Sequence, residues 1–201
     1  MEQFVVIKYL TRLVKNFVLA SQSLQRKMLL SQINFEPAKI EPADIDEIPK
    51  NKEKPSQYVK RMAKEKALFV AKKHKGEVVL ASDTVIVCGT NIIQKSKSDE
   101  EQMKVMEMLS GKTHKVLTAV CVVNKEGKAV VKLNTTKIKM KKLTKTEMKE
   151  YVDSKEWCGC AGYKIEGRLA GFVKQIIGSY SGVVGLPLFE TRNLLIGAGV
   201  Y

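Results

Sequence analysis

Cysteine is scarce in this 201-residue chain: four residues, Cys88, Cys121, Cys158 and Cys160, too few for a disulfide framework. Cys158 and Cys160 stand as C-x-C rather than the C-x-x-C of zinc and redox sites. Only His74 and His114 could join them, which argues against a structural zinc centre. Reduced thiols and a cytoplasmic location are the expectation. Two phosphate fingerprints are missing, G-x-x-x-x-G-K-[ST] and G-x-G-x-x-G, so neither ordinary phosphate-binding turn applies. Long apolar runs are missing too. The N-terminal MEQFVVIKYLTRLVKNFVLAS is broken by Glu2, Lys8, Arg12 and Lys15, and falls short of the roughly 20 residues a membrane span needs. Phe4, Ile7, Leu10 and Val14 recur near helical spacing, so residues 1–15 are expected to form an N-terminal helical extension. With no repeat and no linker-like stretch, one domain is expected over 1–201.

What is abundant is lysine. Lys and Arg number 35 against 21 Asp and Glu, for a formal net charge of +14, which favours anionic partners without choosing among them. Hydrophobic residues make up 44% of the chain, enough for a sizeable core. Strand-like and helix-like segments alternate along it. A strand over 17–20 precedes a helix over 23–31 with Leu24, Met28 and Leu29 inward, then a strand over 35–40 and a polar loop over 41–57. Ser56 is expected to cap a helix that runs to about Lys73. Apolar runs at 78–81 and 84–88 flank Ser82-Asp83, and 98–110 is helical with Met103, Met106 and Leu109 inward. Segments 116–124 and 129–143 read as a hairpin about 125–127, Thr144 caps a helix with Glu147 three residues on, and a last helix covers about 188–196. Lys137, Lys139 and Lys141 alternate with Ile138 and Met140, placing lysines on one face of a strand. No aromatic residue interleaves to stack bases, so nucleic acid is not the expected partner. The fold class is α/β with a mixed, partly antiparallel sheet.

A few positions carry chemistry. In LASQSLQRKMLL (19–30) a strand ends at Ser21 and Ser23 and feeds a helix N-terminus, which presents hydroxyls, free backbone N–H groups and a positive dipole end, with Arg26 in the first turn. Ser23 reads equally as a plain helix cap. In VVLASDTVIV (78–87) Asp83 interrupts an apolar run, where an acid must be paired, coordinate a cation or form a turn. Asp44, Asp46 and Glu47 are spaced to share a hard cation or to line a solvated loop. Lys66 and Lys95 are surface lysines unless the fold turns them inward. His114 stands just before a strand. The glycines of CAGYKIEG (160–167) and GSYSGVVGLPL (178–188) suit tight turns and close backbone approach to a ligand.

Taken in order, LASQS, DIDE (44–47), YVKRMAKEKA (58–67), ASDTVIV (81–87), IIQK (92–95), LSGKTHKVLTAV (109–120), CAGYKIEG and GSYSGVVGLPLFET (178–191) resemble the Maf family of nucleoside triphosphate pyrophosphatases over residues 17–200. The resemblance implies a fold like that of the inosine triphosphate pyrophosphatases, an elongated mixed sheet flanked by helices with a nucleotide cleft in the middle. It implies hydrolysis of a nucleoside triphosphate, dTTP or UTP first, to the monophosphate and pyrophosphate with Mg²⁺, Mn²⁺ or another divalent cation, and a homodimer. Carried onto this chain, Asp83 and Glu47 are the metal or water partners, Lys66 and Lys95 complete the catalytic set on the phosphates, and Ser21, Ser23 and Arg26 form the phosphate-binding turn. Glu166 and His114 are assigned to the base or substrate.

The chain departs from the family pattern in two places. The S-x-S-P-R-R turn has Leu24-Gln25 in place of Pro-Arg, which removes a charge and a fork of donors. The stretch at 158–166 carries Cys160 where a Lys would fall and Glu166 for a Gln, and an ionised Glu only accepts hydrogen bonds. A 7-methyl-GTP-type or other modified-nucleotide pyrophosphatase, or a weakened nucleotide or nucleic-acid binding protein, is therefore the alternative expectation.

Overall fold

The structure, a computed structural model, describes residues 14–201. The expected N-terminal helix lies outside these residues except for its last two, and Val14 and Lys15 begin strand β1 (Val14–Leu19) instead. The other elements follow in chain order: α1 (Leu24–Gln32), β2 (Glu36–Ile40), α2 (Pro55–Lys73), β3 (Val78–Cys88), β4 (Asn91–Ile93), α3 (Asp99–Leu109), β5 (Thr113–Val123), β6 (Ala129–Met140), α4 (Lys145–Asp153), a 3₁₀ turn (Arg168–Phe172), β7 (Val173–Ile177), α5 (Tyr180–Val184) and α6 (Leu188–Gly197). One seven-stranded mixed sheet runs β2-β1-β3-β5-β6-β7, with β4 paired to β3 off this path. β1 is parallel to β2 and β3, and the pairs from β3 through β7 are antiparallel.

β3 organises the core, because its period of two serves both faces of the sheet. Val79, Ala81, Val85 and Val87 pack under α2 with Val59, Met62, Ala63 and Val70. Val78 and Leu80 face the other way, toward Leu29 and Leu30 of α1 and Leu195 of α6. Ile86 and Cys88 share that second face but meet Met106 of α3 and Tyr151 of α4. Between these two apolar clusters β3 carries Ser82, Asp83 and Thr84. This polar centre of a buried strand marks where the cleft opens.

The structure corrects three expectations. The polar pair Ser82-Asp83 does not divide two strands: Ser82 pairs with Val120 and Asp83 with Ala119 in an unbroken ladder. Leu24 and Met28 are not inward but 63% and 58% exposed. Leu29 and Leu30 set the buried face of α1, and at 100° per residue Leu24 and Met28 fall on the opposite side. Ser56 does not cap α2, which starts at Pro55 behind Lys54. Proline suits the first helical position, and the Lys54 N–H donates to Gln57 Oε1 at 3.1 Å. Met106 and Leu109 of α3 are buried and Met103 packs partly buried against the same cluster, as expected, while Gln102 joins the buried face beside them. The alternation on β6 is as expected, with Lys137 and Lys139 exposed and Ile138 and Met140 buried.

Candidate active site

A cleft of about 510 Å³ opens where the polar centre of β3 meets the turn after β1, the loop after β2 and the segments 158–166 and 183–185. At the turn, Ser23 caps α1, its Oγ accepting from the Arg26 N–H at 3.4 Å. Gln25, which stands where the family pattern has arginine, accepts from the Ser23 hydroxyl at 3.3 Å. The Arg26 side chain folds back, donating from Nη1 to Ser21 Oγ at 3.0 Å and from Nε to the Gly185 carbonyl at 3.1 Å. Ser82 Oγ donates to the same carbonyl at 2.9 Å. Burial lowers the Arg26 pKa, opposed by the nearby charges of Asp83 and Glu47.

Asp83 is 7% exposed and points toward α2, because odd positions of β3 face that helix. Lys66 of α2 lies directly above it. Its Nζ is 2.7 Å from Asp83 Oδ1 and 2.9 Å from Glu47 Oε1. An ammonium thus sits between two carboxylates. Burial raises the Asp83 pKa above 3.8, and the charge and hydrogen bond of Lys66 pull it back. Glu47 reaches the cleft from a loop stapled to α2. The Tyr58 hydroxyl donates to the Glu47 carbonyl at 2.8 Å, and Arg61 grips Glu53 with two bonds of 2.7 Å and the Ile48 carbonyl with one of 3.1 Å.

Lys95 enters from the opposite wall, where its backbone pairs with Ala161. Glu166 lines that wall with Cys158, Tyr163 and Lys164. The sequence-predicted residues Ser21, Ser23, Arg26, Glu47, Lys66, Asp83, Lys95 and Glu166 therefore all line one cleft. His114 does not line it. It is buried behind Tyr163, sharing a 2.6 Å hydrogen bond with the tyrosine hydroxyl. Asp44 and Asp46 stay exposed on the loop, and Asp46 Oδ1 accepts from the Ile48 N–H at 2.9 Å. No group of three or more His, Cys, Asp or Glu positioned to hold a metal occurs among the described residues. The Gly185 carbonyl was not foreseen, since only glycine spacing in GSYSGVVGLPL hinted at close approach.

Residues 16–198 match the model of the family described as Maf-like protein. The chain belongs to the Maf-like family. Three relatives, each named dTTP/UTP pyrophosphatase, are close over nearly full length. The Zymomonas mobilis protein is 42% identical over 93% of this chain and 93% of its own. The Rhodospirillum rubrum protein is 45% identical over 94% and 90%, and that of Wolbachia sp. subsp. Brugia malayi is 44% identical over 90% and 93%. Among solved structures, a HAM1 protein from Coxiella burnetii superposes with a TM-score of 0.50 at 17% identity, over 90% of this Maf-like chain and 98% of that one, which is a likeness of fold.

Proposed function

We propose that this Maf-like chain is a nucleoside triphosphate pyrophosphatase that adds water across the α–β phosphoanhydride of dTTP or UTP, releasing the monophosphate and pyrophosphate. The observation that carries the reading is the Lys66 ammonium held between Asp83 and Glu47, facing Arg26, Ser21 and a helix N-terminus across one cleft. The names of the three relatives support the reaction and the pyrimidine substrates. Among the described residues no helix is long and apolar enough to cross a membrane, and the few, free cysteines support a cytoplasmic location.

In this reading Ser21, Ser23, Gln25 and Arg26 bind the phosphate chain with hydroxyls, an amide, backbone N–H groups and one guanidinium. Lys66 and Lys95 neutralise charge as the α–β bond breaks. Asp83, with a pKa raised by burial, is suited to accept the proton of the attacking water. The carboxylate oxygens of Asp83 and Glu47 are hard donors that would suit a divalent cation. Two carboxylates completed by substrate phosphates and water are a usual set for Mg²⁺. When bound, such an ion would supply charge neutralisation on the phosphates.

Pyrophosphate release from dTTP, UTP, CTP, GTP and 7-methyl-GTP, with Mg²⁺ and with Mn²⁺, tests the reading. Cleavage of dTTP and UTP is expected, and Asp83→Asn lowers it at least ~100-fold. A protein that cleaves no triphosphate, or an Asp83→Asn variant at wild-type rate, would overturn the assignment. Preference for 7-methyl-GTP would trace to Glu166, which lines the cleft wall and whose carboxylate can only accept where a glutamine would also donate.

A further inference from the structure

Two buried polar side chains take no part in the site described above. Gln102 of α3 is 0% exposed and His114 of β5 is 2% exposed, and neither lines the cleft. Burying such groups costs free energy unless each finds a partner. Both partners lie on consecutive residues of one loop. Gln102 Nε2 donates to the Gly162 carbonyl at 2.7 Å, while its Oε1 accepts from the Ser96 hydroxyl at 2.8 Å. His114 Nε2 shares the 2.6 Å bond with Tyr163, and the rings meet edge to face with centroids 5.5 Å apart. The backbone between these anchors has no slack. Gly162 has φ +73°, and a Cβ there would stand 3.1 Å from Ile86 Cδ1. Burial pushes the His114 pKa down to about 4, so the ring is neutral near pH 7. It has one proton for two nitrogens, and Nδ1 has no partner among the described residues. Among those residues the one hydrogen bond of the His114 ring is with Tyr163.

The loop so held carries the cleft wall opposite the phosphate turn, including Tyr163, Lys164 and Glu166. The cationic and hydroxyl groups at 21–26 claim the phosphates, which leaves this mixed apolar and polar wall to the nucleoside. We propose that Gln102 and His114 are positioning residues that set the nucleoside end of the cleft by anchoring Gly162 and Tyr163, without contacting substrate. This rests on the reading of the cleft as a nucleoside triphosphate site. The phosphate end has its main anchors elsewhere, in the Gly185 carbonyl that holds Arg26 and in Lys66; only Lys95 shares this loop, through its backbone pairing with Ala161, so tripolyphosphate binding reports chiefly on the phosphate end.

The test measures dTTP kinetics of Gln102→Met, His114→Phe and Tyr163→Phe, together with competitive inhibition by inorganic tripolyphosphate, which probes only the phosphate end. KM for dTTP is expected to rise about tenfold in each variant with kcat within about threefold, while the inhibition constant of tripolyphosphate changes by less than about threefold. His114→Gln, which can still hydrogen-bond the Tyr163 hydroxyl, restores most of the affinity. The double variant His114→Phe, Tyr163→Phe is no worse than either single one, because both remove the same bond. Tyr163→Phe removes only the hydroxyl and keeps the buried ring, so the fold stays testable. An unchanged KM in folded Tyr163→Phe and Gln102→Met would overturn the proposal, as would parallel loss of tripolyphosphate and dTTP binding. If the wild type binds tripolyphosphate but no nucleotide, the nucleoside assignment itself falls. If it cleaves dTTP and only these variants behave like wild type, the anchoring role alone falls.

Discussion

Lys66 stands between Asp83 and Glu47, and its removal bears on both rate and pH. Burial lifts the Asp83 pKa above 3.8 and Lys66 lowers it. Asp83 is ionised only above its raised pKa, so kcat/KM should climb with pH through a value higher than that of an ordinary aspartate. In Lys66→Met the lowering influence is gone. The acid limb of the pH–rate profile should move further up, and the plateau fall at least ~100-fold. A limb that stays in place would mean that Asp83 is not the group titrating. Gln25 is the second residue of interest, because its side chain already reaches Ser23 at the mouth of α1. Gln25→Arg adds a second guanidinium beside Arg26, and turnover should rise by about tenfold at most. An unchanged rate would show that the missing arginine is not limiting. Asp83 was legible in the sequence as an acid inside an apolar run. Gln102 was not singled out in the sequence, although it stands at i, i+4 and i+7 with Met106 and Leu109, and its target on a loop 60 residues away had no local signal at all.

At the scale of elements, the loop after β2 carries Glu47 yet has no regular structure of its own between Glu41 and Lys54. It is held by α2 through Tyr58 and, chiefly, the paired bonds of Arg61 to Glu53. That pairing lowers the Glu53 pKa to about 2, its hydrogen bond to Arg61 being the largest cause. A depressed carboxylate pKa adds stability that is present above the unfolded value near 4.5 and lost as pH falls toward about 2. Melting temperature followed from pH 6 to pH 2 should therefore fall less steeply in Arg61→Met than in wild type. The same variant should lose activity at neutral pH, since Glu47 is no longer steadied. Equal acid slopes would sink this account of the staple. Periodicity and composition recovered the loop and its acids but not which of them reaches the cleft; only the family resemblance singled out Glu47. The Tyr58 and Arg61 bonds to the backbone of Glu47 and Ile48 come from a helix the loop itself does not contain.

Across the whole molecule, a formal net charge of +14 surrounds a cleft that already gathers Arg26, Lys66, Lys95 and Lys164. A triphosphate approaching this field is steered, and salt screens it over a Debye length of about 10 Å at 0.1 M. Raising ionic strength from about 0.05 to 0.5 M should lower kcat/KM for dTTP several-fold, with kcat changed little. A rise in KM absent over that range would show that the surface charge plays no part in capture.

By itself the sequence determined the alternation of elements, the hairpin about residues 125–127 and the exposed lysines of β6, which follow from local periodicity, and it marked Asp83 as a polar residue placed where burial is costly. The family resemblance added Glu47, Lys66 and Lys95, which the fold brings to the same cleft. Tertiary structure alone decided that Ser82-Asp83 lies inside a continuous strand, that Leu24 and Met28 face outward, and that His114 serves Tyr163 instead of lining the cleft. It also decided that one backbone carbonyl, that of Gly185, holds both Arg26 and Ser82. The reason is physical. A residue's type reports the cost of burying it, while the partner that meets the cost comes from wherever the sheet and helices bring the chain together.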